Sequence, residues 1–397
     1  MTRPVGMSAR RTAIIGGLMV ATGPLSLTLY APALPALVEG LGITDAGGKL
    51  TLSVYFAAFA LSQLVCGPLS DRFGRRWVGV GFFAVYILGS LVGALAPTLE
   101  VLLAGRLLQG LGVSAGVALS RAMVRDQFTG REAIRILTLI NLILTVAPAV
   151  APTLGSLIML AGGWHLMFVI MAGFGLAIIA LLGFGARETL PLTARVPLHP
   201  RRIIRNYGRL LASPHFLLPA ILLALIFGGF YGFSALLPFV LMDGMGLTPF
   251  QFAMTLLIQT GSFITGNLVA ARLARQFDGP QLVLIGLALI CLGGVGFALA
   301  PLLFPNSVLA IMAPVSAWML ALATIGPSTT AAAMARFGDI AGAAGALTGF
   351  FQMGGGFLAS ILAIALFPDA RLALTVLLPA LALLAIPIAL LQRRYEA

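Results

Sequence analysis

Charged residues are scarce in this sequence. Only 9% of its 397 residues are Asp, Glu, Lys or Arg, whereas 60% are hydrophobic and the mean hydropathy is +1.06. A single globular core cannot hide that much apolar surface from water. The composition therefore excludes a soluble globular protein and indicates a polytopic membrane protein, for which lipid is the main solvent.

Cysteine, histidine and the common catalytic motifs are also scarce or missing. Cys66 and Cys291 lie in separate apolar runs, and two such residues make neither a disulfide framework nor a zinc site. The stretch GVSAG at Gly112–Gly116 fits a nucleophile elbow, but that motif joins a strand to a helix, and here it lies in the middle of a predicted helix. The three histidines lie away from Ser114, and no HExxH or Walker A sequence is present. We therefore predict no enzyme, no metal and no cofactor.

Uncharged runs of 18 or more residues mark candidate membrane spans, because about 20 residues of helix cross the roughly 30 Å hydrocarbon layer. Two runs are twice that length, and we expect them to break at Ala161–His165 (AGGWH) and at Leu303–Ser307 (LFPNS). The chain then has twelve predicted spans. Spans 1 to 4 are Thr12–Val38, Leu50–Ser70, Trp77–Leu99 and Val101–Ala122, and spans 5 and 6 divide Ile136–Ala186. Spans 7 and 8 are Leu210–Met242 and Gly244–Ala271, spans 9 and 10 divide Gly279–Ala335, and spans 11 and 12 are Ile340–Pro368 and Leu372–Gln392.

The distribution of basic residues supports this count. The sequence has 24 Lys and Arg against 12 Asp and Glu, which is a net charge of +12. If both termini are cytoplasmic, only Lys49, Arg106 and Arg371 fall towards the outside, as the preference of basic residues for cytoplasmic loops requires. We therefore predict cytoplasmic termini, and we assign the excess charge to topology and to lipid headgroups, not to nucleic acid.

The longest polar segment divides the spans into six and six. Residues 187–213 contain three prolines and six arginines, and they predict a cytoplasmic linker. The linker joins an N-terminal six-helix bundle at 1–186 to a C-terminal six-helix bundle at 214–397, with a pseudo-symmetric pattern of hydropathy. Two such bundles permit rocking of one against the other around a cavity at the membrane midplane.

The stretch GPLSDRFGRR at Gly67–Arg76 joins spans 2 and 3. In that position it closely resembles the signature motif of the major facilitator superfamily. A second stretch, APAVAPTLGS at Ala147–Ser156 in span 5, resembles the antiporter motif of drug:proton antiporters through Pro148, Pro152 and Gly155. The resemblance covers essentially the whole chain, and its specific motifs lie in the first six spans.

Three further stretches narrow the resemblance. RLLQG at Arg106–Gly110 fits the same superfamily, whereas YAPALP at Tyr30–Pro35 and SRAMVRDQF at Ser120–Phe128 are similar to the Bcr/CflA type of bacterial drug-resistance transporter. The resemblance implies an all-α, twelve-helix protein of the bacterial inner membrane, which we expect to be a monomer. It also implies proton-coupled export of small amphiphilic drugs by alternating access. Transport of an ordinary metabolite in either direction and a scaffold that transports nothing remain alternatives.

The resemblance implies roles for the GPLSDRFGRR motif. Asp71 is expected to engage the cytoplasmic end of span 11 and so latch the outward-open state, and Arg75 is expected to pair with Asp126 at the base of span 4. The alternative is that Arg72, Arg75 and Arg76 only set the topology. The other members of the expected gating motif are Gly67, Arg72 and Gly74.

Two arginines, Arg106 and Arg121, lie inside predicted span 4. A charge within a span is costly and normally faces a cavity or a partner. By resemblance, Arg106 is expected to take part in proton coupling and in the response to substrate, and Arg121 is a second candidate for this role. Snorkelling of either side chain to the membrane interface is the alternative.

Carboxylates are missing from the middle of every predicted span. Transporters of the Bcr/CflA type usually carry an acid in span 1, but alignment on Tyr30 puts Thr28 at that position, and threonine cannot titrate. A proton-coupled exporter needs a group that binds protons in competition with substrate. Coupling then runs through Asp71, Asp126 or their arginine partners, or the protein is weakly coupled, or it handles neutral substrates differently.

The predicted substrate cavity consists of side chains that membrane spans otherwise have little reason to carry. In lipid, polar groups need a hydrogen-bond partner, which a neighbouring helix or a bound molecule supplies. Packing between helices explains any one of them alone, but as a set they suit a neutral or weakly charged amphiphilic drug. The set is Thr28, Tyr30, Asn141, Tyr231, Gln259, Asn267, Trp318 and Gln352.

Overall fold

The computed structural model describes residues 6–396, apart from the side chains at positions 134, 145, 146, 148, 149 and 396. Every regular element in that range is helical, which confirms the all-helical expectation. The first six α-helices are α1 (Ala9–Thr28), α2 (Leu34–Leu41), α3 (Asp45–Phe73), α4 (Arg75–Ala94), α5 (Leu99–Gln127) and α6 (Gly130–Ala180). The others are α7 (Pro200–Leu211), α8 (Pro214–Pro238), α9 (Pro249–Leu273), α10 (Gly279–Leu303), α11 (Val308–Ala335), α12 (Ala341–Leu366) and α13 (Ala370–Glu396).

Eleven helical segments of the described chain are long and apolar enough to cross a membrane. Ten of them coincide with single predicted spans, and the other, Val150–Gly185, overlaps predicted spans 5 and 6. The predicted break at Leu303–Ser307 is confirmed, because α10 ends at Leu303 and α11 begins at Val308. Ser307 caps the new helix, since its hydroxyl oxygen accepts a hydrogen bond from the Ala310 amide.

The longest helix, α6, is broken where the sequence predicts a break. Without a break, its 51 residues would extend about 76 Å, more than twice the hydrocarbon thickness. Gly162 and Gly163 depart from helical dihedral angles, and Gly163 has a φ of +67°, which glycine adopts at no steric cost. Both residues lie inside the predicted Ala161–His165 segment, so α6 contains two helices.

A single residue, Gly74, connects α3 to α4. Its φ of +97° lies in the left-handed region that favours glycine. The sequence predicts a loop between the end of span 2 at Ser70 and the start of span 3 at Trp77, but α3 extends to Phe73 and α4 begins at Arg75. The predicted loop is therefore too long. All four charged residues of the GPLSDRFGRR motif lie on helix ends, where the helical backbone sets their spacing.

The described chain divides into two compact units. The N unit contains residues up to Ala33 together with Ala57–Ile203, and the C unit contains Leu34–Phe56 together with the chain from Ile204 onward. The second division point lies inside the predicted linker. The sequence assigns Leu34–Phe56 to the N-terminal bundle, whereas the structure groups this segment with the C unit.

Side-chain contacts explain this grouping of the first part of α3. The hydroxyl oxygens of Ser53 and Ser360 lie 2.6 Å apart and share a hydrogen bond within the C unit. The ring centres of Phe56 and Tyr231 lie 4.7 Å apart. Hydrogen bonds and close packing drive helix association in lipid, so these contacts attach the segment to α8 and α12.

The predicted linker is partly helical. Residues 187–213 contain a 3₁₀ turn at Leu192–Ala194 and the helix α7, where the sequence suggests only a polar loop. On α7, Ile203, Tyr207 and Leu210 recur at helical spacing and are less exposed than the arginines between them. The helix is therefore amphipathic.

Glycines let the helices of the N unit approach closely. A Cβ atom at Gly116 of α5 would lie 2.1 Å from the carbonyl oxygen of Met19 in α1. A Cβ atom at Gly112 would lie 2.5 Å from the Tyr86 amide nitrogen in α4. The glycines of the GVSAG stretch therefore serve helix packing, as small residues commonly do in membranes.

Replacing Gly116 with valine should destabilise the N unit, because the new side chain would overlap the backbone at Met19. We expect a loss of about 1–3 kcal/mol in the free energy of unfolding. Thermal unfolding in detergent measures this loss. Gly173→Val is the matched control, since a Cβ atom at Gly173 meets nothing within 4 Å. Equal stability of the two variants would contradict the close approach of α5 to α1.

Candidate functional site

A fully buried arginine lies within the N unit. Arg106 of α5 exposes 0% of its surface. Its Nη1 donates a hydrogen bond to Gln109 Oε1 at 2.8 Å and a longer one to the Ser26 carbonyl oxygen at 3.5 Å. Its guanidinium lies 4.5 Å from the centre of the Tyr30 ring. These neighbours offset part of the cost of taking the charge out of water.

Hydrogen bonds connect Arg106 to three helices. Gln109 Nε2 donates to Ser90 Oγ at 2.8 Å, and the hydroxyl groups of Ser26 and Tyr86 share a hydrogen bond of 2.7 Å. Because these side chains come from α1, α4 and α5, a relative movement of these helices must rearrange the bonds. We call this set the Arg106 network: Ser26, Tyr30, Tyr86, Ser90, Arg106 and Gln109.

The burial of Arg106 excludes snorkelling for this residue. Arg121 differs, since it is exposed on α5 and forms no ion pair with the residues that the structure describes. The structure therefore brings only Arg106 into the network. The role expected for Arg121 stays a prediction.

A second charged cluster lies where α3 meets α4. Arg75 exposes only 3% of its side chain, and its Nη1 donates to Asp71 Oδ1 at 2.6 Å and to Ser70 Oγ at 2.7 Å. Its Nε donates to Asp126 Oδ2 at 3.0 Å, so the expected pairing of Arg75 with the base of span 4 is present. We call Ser70, Asp71, Arg75, Asp126 and Glu188 the motif cluster.

Glu188 joins the motif cluster from a distant part of the sequence. Gly74 precedes α4 and makes no side-chain cap, and the Glu188 carboxylate takes that place. Its Oε1 accepts a hydrogen bond from the Arg75 amide at 2.8 Å, and its Oε2 accepts one from the Arg76 amide at 3.2 Å. A carboxylate at a helix N-terminus satisfies free amides and is favoured by the helix dipole. Sequence reasoning missed this role because no local pattern reveals a cap 113 residues away.

Arg76 contacts the end of the second helix of α6. The chain leaves this helix through a π-helical turn at Leu181–Gly185, and carbonyl groups at a helix end lack helical partners. Arg76 Nε donates to the Leu182 carbonyl oxygen at 2.9 Å, and its Nη2 donates to the Gly183 carbonyl oxygen. Arg76 therefore does more than set the topology.

The first residues of the predicted linker bind the motif cluster directly. Thr189 Oγ1 donates to Asp126 Oδ2 at 3.1 Å, and the Val196 amide donates to the Asp71 carbonyl oxygen at 3.1 Å. Together with Glu188, these bonds attach the segment from 188 to 196 to the ends of α3, α4 and α5. This part of the linker is a structural component of the cluster.

The predicted antiporter motif lies where α6 meets the end of α1. Pro152 and Gly155 are buried, and Ser156 Oγ donates to the Pro152 carbonyl oxygen at 3.0 Å. A Cβ atom at Gly155 would lie 2.5 Å from the Leu29 carbonyl oxygen, so this approach requires glycine. The side chain of Pro148 lies outside the described residues.

The predicted cavity residues of the N unit have separate environments. Tyr30 is fully buried, and its ring packs edge-on against Phe168 at a centre-to-centre distance of 5.7 Å. Thr28 donates to the Pro24 carbonyl oxygen of its own helix at 2.8 Å. Asn141 is exposed on α6. Of these three, Tyr30 contacts the buried Arg106.

The predicted cavity residues of the C unit differ in how far their polar groups are satisfied. Trp318 is 1% exposed and donates to the Ile226 carbonyl oxygen at 3.0 Å, and Asn267 donates to the Phe263 carbonyl oxygen at 2.9 Å. Gln259 is 7% exposed, and its buried Oε1 has no hydrogen-bond partner among the described residues. Gln259 is therefore the member that needs a further donor. The partly buried members are Tyr231 and Gln352.

Two findings concern the remaining charges. The described acids all lie in loops or within three residues of a helix end, which confirms that no carboxylate lies deep in a span. Lys49 is 5% exposed within the C unit, and its Nζ lies 5.1 Å from the centre of the Phe239 ring; its expected position towards the outside of the membrane stays a prediction. The aliphatic stem of lysine permits such burial beside an aromatic ring.

Comparison with known proteins identifies the family. The profile of the Major Facilitator Superfamily matches residues 16–364, which are most of the chain. The chain belongs to the major facilitator superfamily. It is a membrane transporter and not an enzyme.

Bacterial members of the superfamily are similar over most of the chain. The uncharacterized MFS-type transporter YdgK of Bacillus subtilis (strain 168) is 30% identical over 352 residues, which cover 88% of this chain and 87% of YdgK. The multidrug resistance protein MdtL of Shigella flexneri serotype 5b (strain 8401) is 30% identical over 278 residues, which cover 70% of each chain. The crystal structure of the human organic anion transporter MFSD10 (TETRAN) matches with a TM-score of 0.67 over 96% of this chain and 100% of that chain. At 20% identity, the similarity to MFSD10 supports the fold alone.

Replacing Asp126 with alanine should destabilise the protein, because the buried Arg75 then keeps only one of its two acid partners. Removal of one partner from a buried ion pair lowers the free energy of unfolding by about 3–5 kcal/mol, and we expect a smaller loss here because Asp71 still pairs with Arg75. Thermal unfolding in detergent measures it. The control is Asp339→Ala, which breaks the exposed pair of Asp339 with Arg209 and should cause little measurable loss. Equal losses would contradict the structural role of the motif cluster.

Proposed function

We propose that this superfamily member exports small amphiphilic drugs or related compounds by alternating access, with antiport of protons as the energy source. The main support for drug export is the similarity to the multidrug resistance protein MdtL over 70% of each chain. The buried Pro152 and Gly155 at the junction of α1 and α6 support the assignment to drug:proton antiporters. The more specific assignment to the Bcr/CflA type is based on the stretches Tyr30–Pro35 and Ser120–Phe128.

The proposal includes twelve spans and cytoplasmic termini in a bacterial inner membrane. The break at Gly162 and Gly163 supports the division of α6 into two spans, which raises the count from eleven to twelve. An even count puts both termini on one side, and the basic loops favour the cytoplasmic side. Because one chain contains both sets of six spans, a monomer is sufficient for alternating access.

We assign proton coupling to the motif cluster, because no described acid lies deep in a membrane span. Asp71 has a side chain that is 46% exposed, and it pairs with the buried Arg75 at 2.6 Å. A proton on Asp71 removes its negative charge and competes with this ion pair. Protonation would thereby remove the charge on which the proposed latch to the end of span 11 depends, and so favour the inward-open state. Asp126, which is 10% exposed, is the second candidate.

We propose that bound substrate disturbs the Arg106 network and donates a hydrogen bond to Gln259. The network bonds α1, α4 and α5 together, so a substrate that disturbs it changes the packing of these helices. In the C unit, the buried Oε1 of Gln259 lacks a donor, which a hydroxyl or amide group of a neutral drug would supply.

Expression in a bacterial host without its own drug pumps tests drug export. We expect protection against at least one of three classes, which are chloramphenicol-type drugs, bicyclomycin-type drugs and lipophilic cations. Gln259→Leu should fold, since it removes an unsatisfied buried polar atom, but it should lower or alter this protection. Gln276→Leu, at an exposed position after α9, is the control. A well-expressed protein that protects against none of the three classes would refute drug export and favour metabolite transport.

The same protein in inside-out membrane vesicles tests proton coupling. Dissipation of the proton gradient should abolish drug uptake into these vesicles, because antiport uses that gradient. Transport that continues unchanged without the gradient would refute coupling and leave drug export as such intact.

Replacing Asp71 with asparagine should shift the conformational equilibrium towards the inward-open state. Asparagine keeps the size of the side chain but removes the charge that we propose for the latch. The labelling rates of single cysteines introduced on the two sides of the membrane measure the shift. Glu132→Gln, which neutralises an exposed acid on α6, is the control. An unchanged labelling pattern would leave the motif with structural and topological roles only.

A further inference from the structure

An apolar groove lies on the surface of the N unit, along α3 and α4. Its volume is about 590 Å³, and its lining includes Leu61, Val65, Phe82 and the open position Gly81. The hydroxyl group of Ser62, which also lines it, already donates to the Leu111 carbonyl oxygen at 2.7 Å. The groove therefore offers a ligand apolar contact and almost no hydrogen bonding.

A smaller cavity with two arginines adjoins this groove. It has a volume of about 180 Å³ and is lined by Arg72, Phe73 and Arg195, with Val196 and Pro197. Phe73 also lines the groove, so the two spaces meet at its ring. The Arg195 Nε is buried and makes no hydrogen bond with the described residues. A buried guanidinium nitrogen without an acceptor indicates a place for an anionic group.

The carboxylates of the neighbouring motif cluster are bonded to other groups, although the Glu188 carboxylate and the Arg195 guanidinium both lie beside Gly74. Asp71 pairs with Arg75, and Glu188 accepts the amide hydrogen bonds at the start of α4. Among the described residues, Arg72 and Arg195 form no ion pair. Arg72 and Arg195 are therefore able to donate hydrogen bonds to an anionic group of a ligand.

The residues around the junction are those of a membrane interface. Phe73 is 51% exposed and Trp77 is 59% exposed, and the guanidinium groups of Arg72 and Arg76 lie 5.5 Å and 4.8 Å from the centres of these two rings. Exposed aromatic and basic side chains together are typical of the level of the lipid headgroups. The groove then extends from this level towards the hydrocarbon, where Leu61 is 58% exposed.

We propose that the groove and the arginine cavity together bind one anionic phospholipid. Its phosphate accepts hydrogen bonds from Arg72 and Arg195, and one acyl chain lies in the groove between α3 and α4. This site is separate from the Arg106 network and does not depend on the identity of the exported substrate. Its ligand is defined by charge complementarity at one end and by apolar contact at the other.

The purified full-length chain in detergent tests this site by titration with two phospholipids that have the same acyl chains. Phosphatidylglycerol should bind and raise the temperature of unfolding, whereas phosphatidylcholine should do so only at much higher concentration. Arg195→Gln should weaken the binding of phosphatidylglycerol about ten-fold, which corresponds to the loss of a charged contact. Arg202→Gln, on the exposed side of α7, should leave it unchanged.

A second pair of variants tests the groove. A Cβ atom at Gly81 meets nothing within 4 Å, so Gly81→Leu should fold and fill the groove with its side chain. It should weaken the binding of phosphatidylglycerol, whereas Gly173→Leu, at an equally open position outside the groove, should not.

Four results would overturn the proposal. Equal binding of both phospholipids would show that the arginines do not select the headgroup. Unchanged binding of phosphatidylglycerol after Arg195→Gln would show that the arginine cavity does not hold the headgroup. Unchanged binding after Gly81→Leu would show that the groove does not hold an acyl chain. Inorganic phosphate that stabilises the protein as strongly as phosphatidylglycerol would indicate a site for a free anion instead of a lipid.

Discussion

A charge inside a membrane protein has to be satisfied by the protein, because the surrounding lipid offers no hydrogen bonds. Two buried arginines of the N unit, Arg75 and Arg106, impose this requirement. Each is contacted by groups from more than one part of the chain, so that the two arginines connect α1, α3, α4, α5 and the first part of the linker. The arrangement of the N unit depends on these connections.

The two arginines have different kinds of partner. Arg75 has carboxylate partners, Asp71 and Asp126, in a cluster that includes the ends of helices. Arg106 is bonded to an amide, a backbone carbonyl group and an aromatic ring, all of which are neutral. The carboxylate partners of Arg75 thus lie at helix ends, whereas the hydrogen-bond partners named for Arg106 carry no carboxylate. In the proposed mechanism, this arrangement separates proton binding at the motif cluster from the response of the Arg106 network to substrate.

Several features of the fold and the site were predictable because they depend on residues close together in sequence. Uncharged length predicts the spans, and the glycines at 162 and 163 predict the break in α6. The pair of Arg75 with Asp126 followed from resemblance to a family, not from spacing. The cap that Glu188 provides was not predictable, since it joins residues 113 positions apart. The grouping of Leu34–Phe56 with the C unit depends likewise on contacts with Tyr231 and Ser360.

By itself, the sequence determined that this protein is helical and lies in a membrane, because hydropathy and the distribution of charge act along the chain. It also determined the family, through short motifs with a defined position between spans. Only the tertiary structure decided which charges are buried, which carboxylate caps α4 and which polar groups lack a partner. These properties depend on distances between helices, and close approach at residues such as Gly116 and Gly155 sets those distances.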